Sequence, residues 1–211
     1  MFITEHDPYH PKAGSTEYNL INGAALVKSL YFTSVHSPNV KILPWVQYHD
    51  REIQTRFMWF DGPNEPDTKA EELRMLPAGC SMKLLSMHED WEIAVDNAID
   101  NDHIVLASIQ NEGLIVQAVN YGSPQDVRVR IENLSQSFSA LAGGEVTVVK
   151  YLIDEEHSNC VAKPDYPGGI EKVGEQRMLP EDGSITLEHP RLSKNGILLW
   201  KVMPEKAGPV L

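Results

Sequence analysis

The sequence has little of several features that would assign it at once to a functional class. It carries 18 lysines and arginines against 30 aspartates and glutamates, and its net charge of −12 argues against binding nucleic acid or an anionic membrane surface. No apolar run approaches the roughly 18–20 residues of a membrane-spanning helix. Cys80 and Cys160 are too few and too distant in sequence for a disulfide framework, so we expect two isolated thiols.

Motifs of several enzyme classes are lacking as well. There is no glycine-rich phosphate loop, and no Ser, His and Asp arrangement for nucleophilic catalysis can be argued. The segment Asp154–His157 offers carboxylates and an imidazole, but zinc-type spacing is absent, so a solvated loop or a hydrogen-bonding corner is favoured. We therefore expect neither a metal nor a cofactor.

What is present is the composition of a folded protein, with 42% hydrophobic residues among 211, enough for one or two packed domains. Residues 1–88 alternate between strand and helix patterns. A short strand ends in Glu5, helical spacing follows from Thr16 to about Ser37, and Val40–Val46 reads as a strand. Lys69–Met87 reads as a second helix that is interrupted at Pro77-Ala78-Gly79. This βαβα order predicts a parallel sheet.

From residue 89 to residue 211 the apolar period changes to two, which is typical of strands. Strand Val127–Ile131 alternates valine or isoleucine with arginine, so one face should be buried and the other solvated. The other predicted strands in this half begin at Trp91, His103, Gly113, Glu145, Ser184 and Gly196. We expect an antiparallel β-sandwich, and hence an α+β fold overall.

The succession of a strand ending in Glu5, a helix, an aromatic-tipped strand, a helix and a sandwich resembles the C-terminal part of clan A glycoside hydrolases. It is most similar to family 39, the β-xylosidases and α-iduronidases. Tyr151–Asn159 looks like the Ile-Asp…His-Ser-Asn segment of that family, and Gly196–Trp200 looks like its last strand. The resemblance covers nearly the whole chain, and agarase-like and porphyranase-like families are possible neighbours.

The resemblance implies that residues 1–5 and 40–46 are the last two strands of a (β/α) barrel. Glu5 then matches the catalytic nucleophile of a retaining glycosidase, and Trp45 matches the aromatic floor of the first sugar subsite. Three residues of the loop beside the nucleophile would contact sugar hydroxyls or Glu5: His6, Tyr9 and His10.

A retaining glycosidase also needs a second carboxyl group as its acid/base, and the sequence offers no clear candidate for it. In the family, the acid/base glutamate lies in an Asn-Glu motif that precedes the nucleophile, whereas Asn64-Glu65-Pro66 follows Glu5. Asp61-Gly62-Pro63 would interrupt a strand leading to Glu65, and the motif also has an ordinary turn composition. Coincidence is the favoured interpretation, with Glu65 kept as the less favoured acid/base candidate.

Two functions from different classes remain open. The first is a fragment or subunit of a retaining glycoside hydrolase, inactive alone, whose missing barrel portion comes from its parent chain, a second polypeptide or a dimer partner. The second is a non-catalytic β-sandwich module that supports a barrel or binds glycan. Carbohydrate is the expected partner in both, and neither nucleic acid nor a membrane is expected.

Overall fold

The computed structural model describes residues 2–6, 16–37, 39–44, 58–60, 73–88, 91–96, 100, 102–110, 113–134, 144–163 and 165–204. Within these residues the elements are, in chain order, β1 (Phe2–His6), α1 (Thr16–His36), β2 (Lys41–Pro44), β3 (Met58–Phe60), β4 (Leu73–Met75), α2 (Pro77–Leu85), β5 (Trp91–Glu92), β6 (His103–Gln110), β7 (Gly113–Asn120), β8 (Gln125–Ile131), β9 (Val146–Ile153), β10 (Glu171–Met178), β11 (Ile185–Leu192) and β12 (Ile197–Pro204). The predicted α+β class is confirmed.

Residue contacts divide the chain into two compact units. The first contains Met1–Leu85, Ile153–Glu171 and Asn195–Ile197, and the second contains Ser86–Leu152, Lys172–Lys194 and Leu198–Leu211. The segment Ile153–Glu171, which follows β9 in the sequence, therefore belongs to the first unit. In the described part of the chain, neither helix is long and apolar enough to cross a membrane.

The first unit opens with a parallel pair of strands. β1 pairs with β2 in the register Phe2 with Lys41 and Ile3 with Ile42, and a shift between Ile3 and His6 brings His6 opposite Pro44. Parallel neighbours cannot be joined by a tight turn, and α1 lies in sequence between the two strands. The predicted β-α-β order with parallel strands is confirmed.

Helix α1 packs against helix α2 through small and aliphatic side chains. Leu26 and Ala78 are fully buried in this contact, and the partly buried Leu30 and Met82 pack around them. A Cβ atom added at Gly23 would lie 3.3 Å from Ser81 Oγ and 3.4 Å from the Ala78 backbone. The helices therefore approach closely at this glycine.

The prediction of one helix over Lys69–Met87 is wrong at its N-terminal end. Leu73–Met75 forms strand β4, which pairs antiparallel with β3, and the helix begins at Pro77. Proline lacks the backbone N–H that a helix interior requires, but it suits the first helical position, where no hydrogen bond is lost. Pro77 is therefore the start of the helix rather than an interruption in it.

The segment Ile153–Glu171 comes close to strand β4 at Gly168. This residue has a φ of 82°, and a Cβ atom there would lie 2.9 Å from Met75 N and 3.2 Å from Arg74 Cα. Both the left-handed backbone and the close approach require glycine at position 168.

The second unit is a sandwich of two sheets. A six-stranded sheet has the order β10-β9-β12-β7-β6-β5, and a two-stranded sheet pairs β11 with β8. One core joins them, with Leu114, Val116 and Trp200 from the large sheet and Leu187 and Leu192 from the small one. The pairs β5–β6, β6–β7 and β8–β11 are antiparallel, as predicted.

The central strand β7 is buried at all eight positions, from Gly113 to Asn120. Both of its faces are therefore shielded from solvent, which explains why its sequence is an almost continuous apolar run. Strand β8 instead alternates between half-buried and exposed residues, so the predicted inward and outward faces are confirmed. Strand β10 was missed because its polar sequence carries no clear period-two pattern.

Asn120, at the end of β7, holds a corner of the sandwich together. Its Nδ2 donates to the carbonyl oxygens of Ser123 at 3.0 Å, Leu192 at 2.9 Å and Ser193 at 3.1 Å. Its Oδ1 accepts from Gly122 N at 3.0 Å and from Gln125 Nε2 at 3.1 Å. The side chain is fully buried, so its loss would leave these backbone groups without partners.

We predict that Gly168→Ala destabilises the protein by roughly 2–3 kcal/mol, since it adds both left-handed strain and a clash with β4. Gly174→Ala is the matched control. A Cβ atom at Gly174 meets only Lys150 side-chain carbons at 3.6 and 4.0 Å, so this change should be neutral or slightly stabilising. Urea unfolding measures both, and equal midpoints for the two variants would contradict the account of Gly168.

We also predict that Asn120→Ala lowers the free energy of unfolding by roughly 2–4 kcal/mol. Asn120→Asp should cost at least as much, because it places a carboxylate oxygen against three carbonyl oxygens. Gln125→Ala, which removes one peripheral donor to Asn120, serves as the control and should cost under about 1 kcal/mol. Urea midpoints for Asn120→Ala and Asn120→Asp that match that of Gln125→Ala would refute this role for Asn120.

Candidate functional site

The candidate site begins from the ends of two parallel strands. Strand β1 ends at His6, strand β2 ends at Pro44, and these two residues are paired across the strands. Because the strands are parallel, their carboxyl ends lie at the same edge. The backbone therefore brings Glu5 and His6 beside the end of β2, and Trp45 is the next residue after Pro44. Carboxyl ends of parallel strands are where α/β barrels present their catalytic groups.

The structure describes only part of the set predicted from the sequence. Glu5 and His6 lie in β1, where the backbone is described and the side chains are not. Four further candidates lie outside the described residues: Tyr9, His10, Trp45 and Glu65. The structure thus places the end of β1, which contains Glu5 and His6, beside the end of β2, which Trp45 follows in the sequence. The functional roles of all six candidate residues remain predictions.

The Asp154–His157 segment, considered above as a metal site, is a hydrogen-bonded loop. Asp154 Oδ1 accepts from the backbone N of Glu156 at 2.8 Å, from His157 N at 2.7 Å and from His157 Nδ1 at 2.9 Å. Asn159 Nδ2 donates to the Asp154 carbonyl at 3.2 Å. These contacts engage Asp154 Oδ1 and His157 Nδ1, two of the atoms that could have bound a cation. Among the described residues, no set of three or more His, Cys, Asp or Glu side chains could hold a metal ion.

The same loop is tied to the start of strand β10. Ser158 has a φ of 53°, its Oγ accepts from Glu171 N at 2.8 Å, and its own N donates to Glu171 Oε2 at 3.3 Å. In this loop, the side chains of His157, Ser158 and Asn159 each make a hydrogen bond.

A pocket of about 950 Å³ lies between the two sheets of the second unit. Aliphatic side chains make up much of its wall, including Val105, Val116, Val127, Val129 and Ile131. No phenylalanine, tyrosine or tryptophan is among the described residues that line it. The described lining therefore offers no large aromatic ring on which a sugar could stack.

Solved structures that this chain matches include glycoside hydrolases. A GH39 enzyme from Xanthomonas axonopodis pv. citri matches 96% of this chain with a TM-score of 0.66 and 13% identity, and the match covers 44% of that protein. A glucosidase from Croceicoccus marinus matches 98% of this chain with a TM-score of 0.63 and 12% identity, over 46% of its own length. A β-porphyranase of glycoside hydrolase family 86 from Bacteroides plebeius matches 99% of this chain with a TM-score of 0.53 and 14% identity, over 35% of its length.

These identities are low, so the likeness concerns the fold. The chain has a glycosidase-like fold, as its resemblance to clan A enzymes implied, and it spans less than half the length of each of these three proteins. No family model matches the sequence. No curated protein matches it either.

The second unit contains a partly buried polar cluster that the sequence does not predict. His88 Nδ1 lies 2.9 Å from Ser108 Oγ, and its Nε2 lies 3.1 Å from Gln117 Oε1. An amide oxygen only accepts, so Nε2 carries the proton and Nδ1 accepts from the serine hydroxyl. Burial lowers the pKa of His88 below 6.5, and the hydrogen bond to Gln117 partly opposes this shift. A lone histidine in the sequence carries no signal of such a cluster.

We predict that His88 lowers the free energy of unfolding as the solution becomes acidic. Its pKa is lower in the folded chain than in the unfolded chain, so the unfolded chain binds more protons as the pH falls below about 6.5, and stability is lost. In His88→Gln the position does not titrate. Urea midpoints from about pH 8 to pH 5 should therefore fall less in the variant than in the wild type. Parallel pH profiles would show that His88 is not responsible.

Proposed function

We propose that this chain is part of a retaining glycoside hydrolase of the family 39 type, acting on poly- or oligosaccharides. The observation that carries the proposal is the parallel register of β1 and β2, in which Glu5 stands beside the strand end that leads to Trp45. The glycosidase-like fold over 96% of the chain supports it. Glu5 is the proposed nucleophile, and Trp45 is the proposed floor of the first sugar subsite.

The proposed chemistry has two steps. The Glu5 carboxylate attacks the anomeric carbon while a second carboxyl group protonates the departing glycosidic oxygen, which gives a covalent glycosyl-enzyme. The second group then deprotonates a water molecule that displaces Glu5. This requires an ionised Glu5 and a protonated partner roughly 5–5.5 Å away. His6, Tyr9 and His10 are proposed to hydrogen-bond the sugar hydroxyls or Glu5.

The acid/base partner is proposed to come from barrel strands outside this chain. The glycoside hydrolases with this fold are more than twice as long as the part that the chain matches. The remaining strands would be supplied by a longer parent chain, a second polypeptide or a dimer partner. Glu65 is the alternative partner within this chain, and it is less favoured because it follows Glu5 in the sequence.

We predict that the chain by itself gives no turnover of aryl glycosides above that of its Glu5→Gln variant, because one carboxyl group cannot perform both steps. Release of the chromophoric aglycone measures this. Turnover that is abolished by Glu65→Gln would contradict the proposed location of the acid/base group. Retention of glycan binding without turnover, in the chain joined to its barrel portion, would favour the non-catalytic module instead.

The chain joined to the polypeptide that completes the barrel gives the positive test. There, Glu5→Ala should lower kcat by at least about 10³-fold, since it removes the nucleophile. Added azide should restore turnover and yield the glycosyl azide of inverted configuration, because azide then attacks from the face that Glu5 occupied. Glu188→Gln, an exposed residue on β11, is the control and should leave kcat unchanged. A retained azide product would assign Glu5 to the acid/base role.

A further inference from the structure

The two cysteines, which the sequence suggested were isolated, meet in the first unit. Cys80 lies on helix α2 and Cys160 on the loop after β9, and both are fully buried. The sulfur of Cys160 is 3.4 Å from the carbonyl oxygen of Met75, and the sulfur of Cys80 is 3.9 Å from the same oxygen. Two thiols that share one acceptor atom at these distances are neighbours.

A second carbonyl extends the cluster. Cys80 Sγ lies 3.0 Å from the oxygen of Gly169, to which the Tyr166 hydroxyl also donates at 3.3 Å. Burial raises the pKa of Tyr166, and the nearby Glu171, Cys80 and Cys160 raise it further. The loop that carries Cys160 and the helix that carries Cys80 are thus held around two carbonyl oxygens of the backbone.

The same surroundings keep the Cys80 thiol protonated. Burial, followed by the proximity of Cys160, raises the pKa of Cys80 to about 12. Thiolate is the form that attacks a disulfide, so exchange in the closed protein is slow and proceeds through local opening. Oxidation that starts at Cys80 is therefore expected to be slow and to need prolonged exposure to the oxidant.

We propose that Cys80 and Cys160 are a disulfide-forming pair, oxidised by low-molecular-weight disulfides. One cysteine thiolate attacks a sulfur of the small disulfide, forming a mixed disulfide and releasing one small thiolate. The second cysteine then attacks the protein sulfur of the mixed disulfide and releases the other. Two protein thiols are oxidised to one disulfide, the small disulfide is reduced to two thiols, and the two protons pass to the released thiolates or to solvent.

The disulfide would join segments that are distant in the sequence and adjacent in the fold. It would fasten Ile153–Glu171, with its Asp154–His157 loop, to helix α2 within the first unit. A cross-link that closes a long loop restricts the unfolded chain, so the oxidised protein should be the more stable form. In forming the disulfide, the two side chains rotate about their Cα–Cβ bonds and bring the sulfurs to bonding distance.

The test equilibrates the full chain with mixtures of oxidised and reduced glutathione, with and without denaturing urea. Acid quenching and peptide mapping then measure the linked tryptic peptides 75–83 and 151–172. We expect the ratio of linked to reduced chain, at a given glutathione mixture, to be at least roughly 100-fold higher in the native protein than in urea. An equal or lower native ratio would overturn the proposal.

Cys160→Ser is the matched control, since it keeps Cys80 and replaces one sulfur by oxygen. It should yield no linked peptides and show no increase of the thermal midpoint on oxidation, whereas the wild type should gain on the order of 5–10 °C. Accumulation of glutathione on both cysteines of the native wild type, instead of the linked pair, would also overturn the proposal.

Discussion

The parallel pairing of β1 with β2 is the constraint on which the functional account depends. Two parallel strands need a crossover between them, and α1 lies there in the sequence. This crossover helix packs against α2, and Gly23 and Leu26 of α1 lie in the contact. Because the strands are parallel, their carboxyl ends lie at one edge. Glu5 and Trp45, which are distant in the sequence, are therefore candidates for one site.

Hydrogen bonds between polar side chains and backbone groups stabilise several of the other loops and contacts. The carbonyl oxygens of Met75 and Gly169 gather two thiols and a phenol, and Asp154 fixes its loop through two backbone N–H groups. Asn120 satisfies three carbonyl oxygens at the sandwich corner. Buried backbone groups must have partners, so a few polar side chains determine the shape of the connections between strands.

The sequence predicts the helices and strands whose apolar residues recur with a clear period. It does not predict elements with a polar sequence or contacts that depend on tertiary packing. Helix α1, the apolar run of β7 and the alternation of β8 were all recognisable. The polar sequence of β10 predicts no strand, and the sequence predicts helix over β4 although the helix begins only at Pro77. The contacts of Cys80 with the loop of Cys160 and of His88 with Gln117 depend on tertiary packing, which no local spacing reveals. For the candidate site, the strand ends were predictable, whereas the second carboxyl group was not.

Glu5 is proposed to be the nucleophile of a retaining glycosidase. A 2-deoxy-2-fluoro glycoside with a good leaving group forms the covalent intermediate and slows its hydrolysis, so the labelled residue can be identified by mass spectrometry of the digested protein. In the chain joined to its complete barrel, the account predicts one sugar per molecule, attached to the peptide that contains Glu5. A label on any other carboxylate, with Glu5 unmodified, would contradict it.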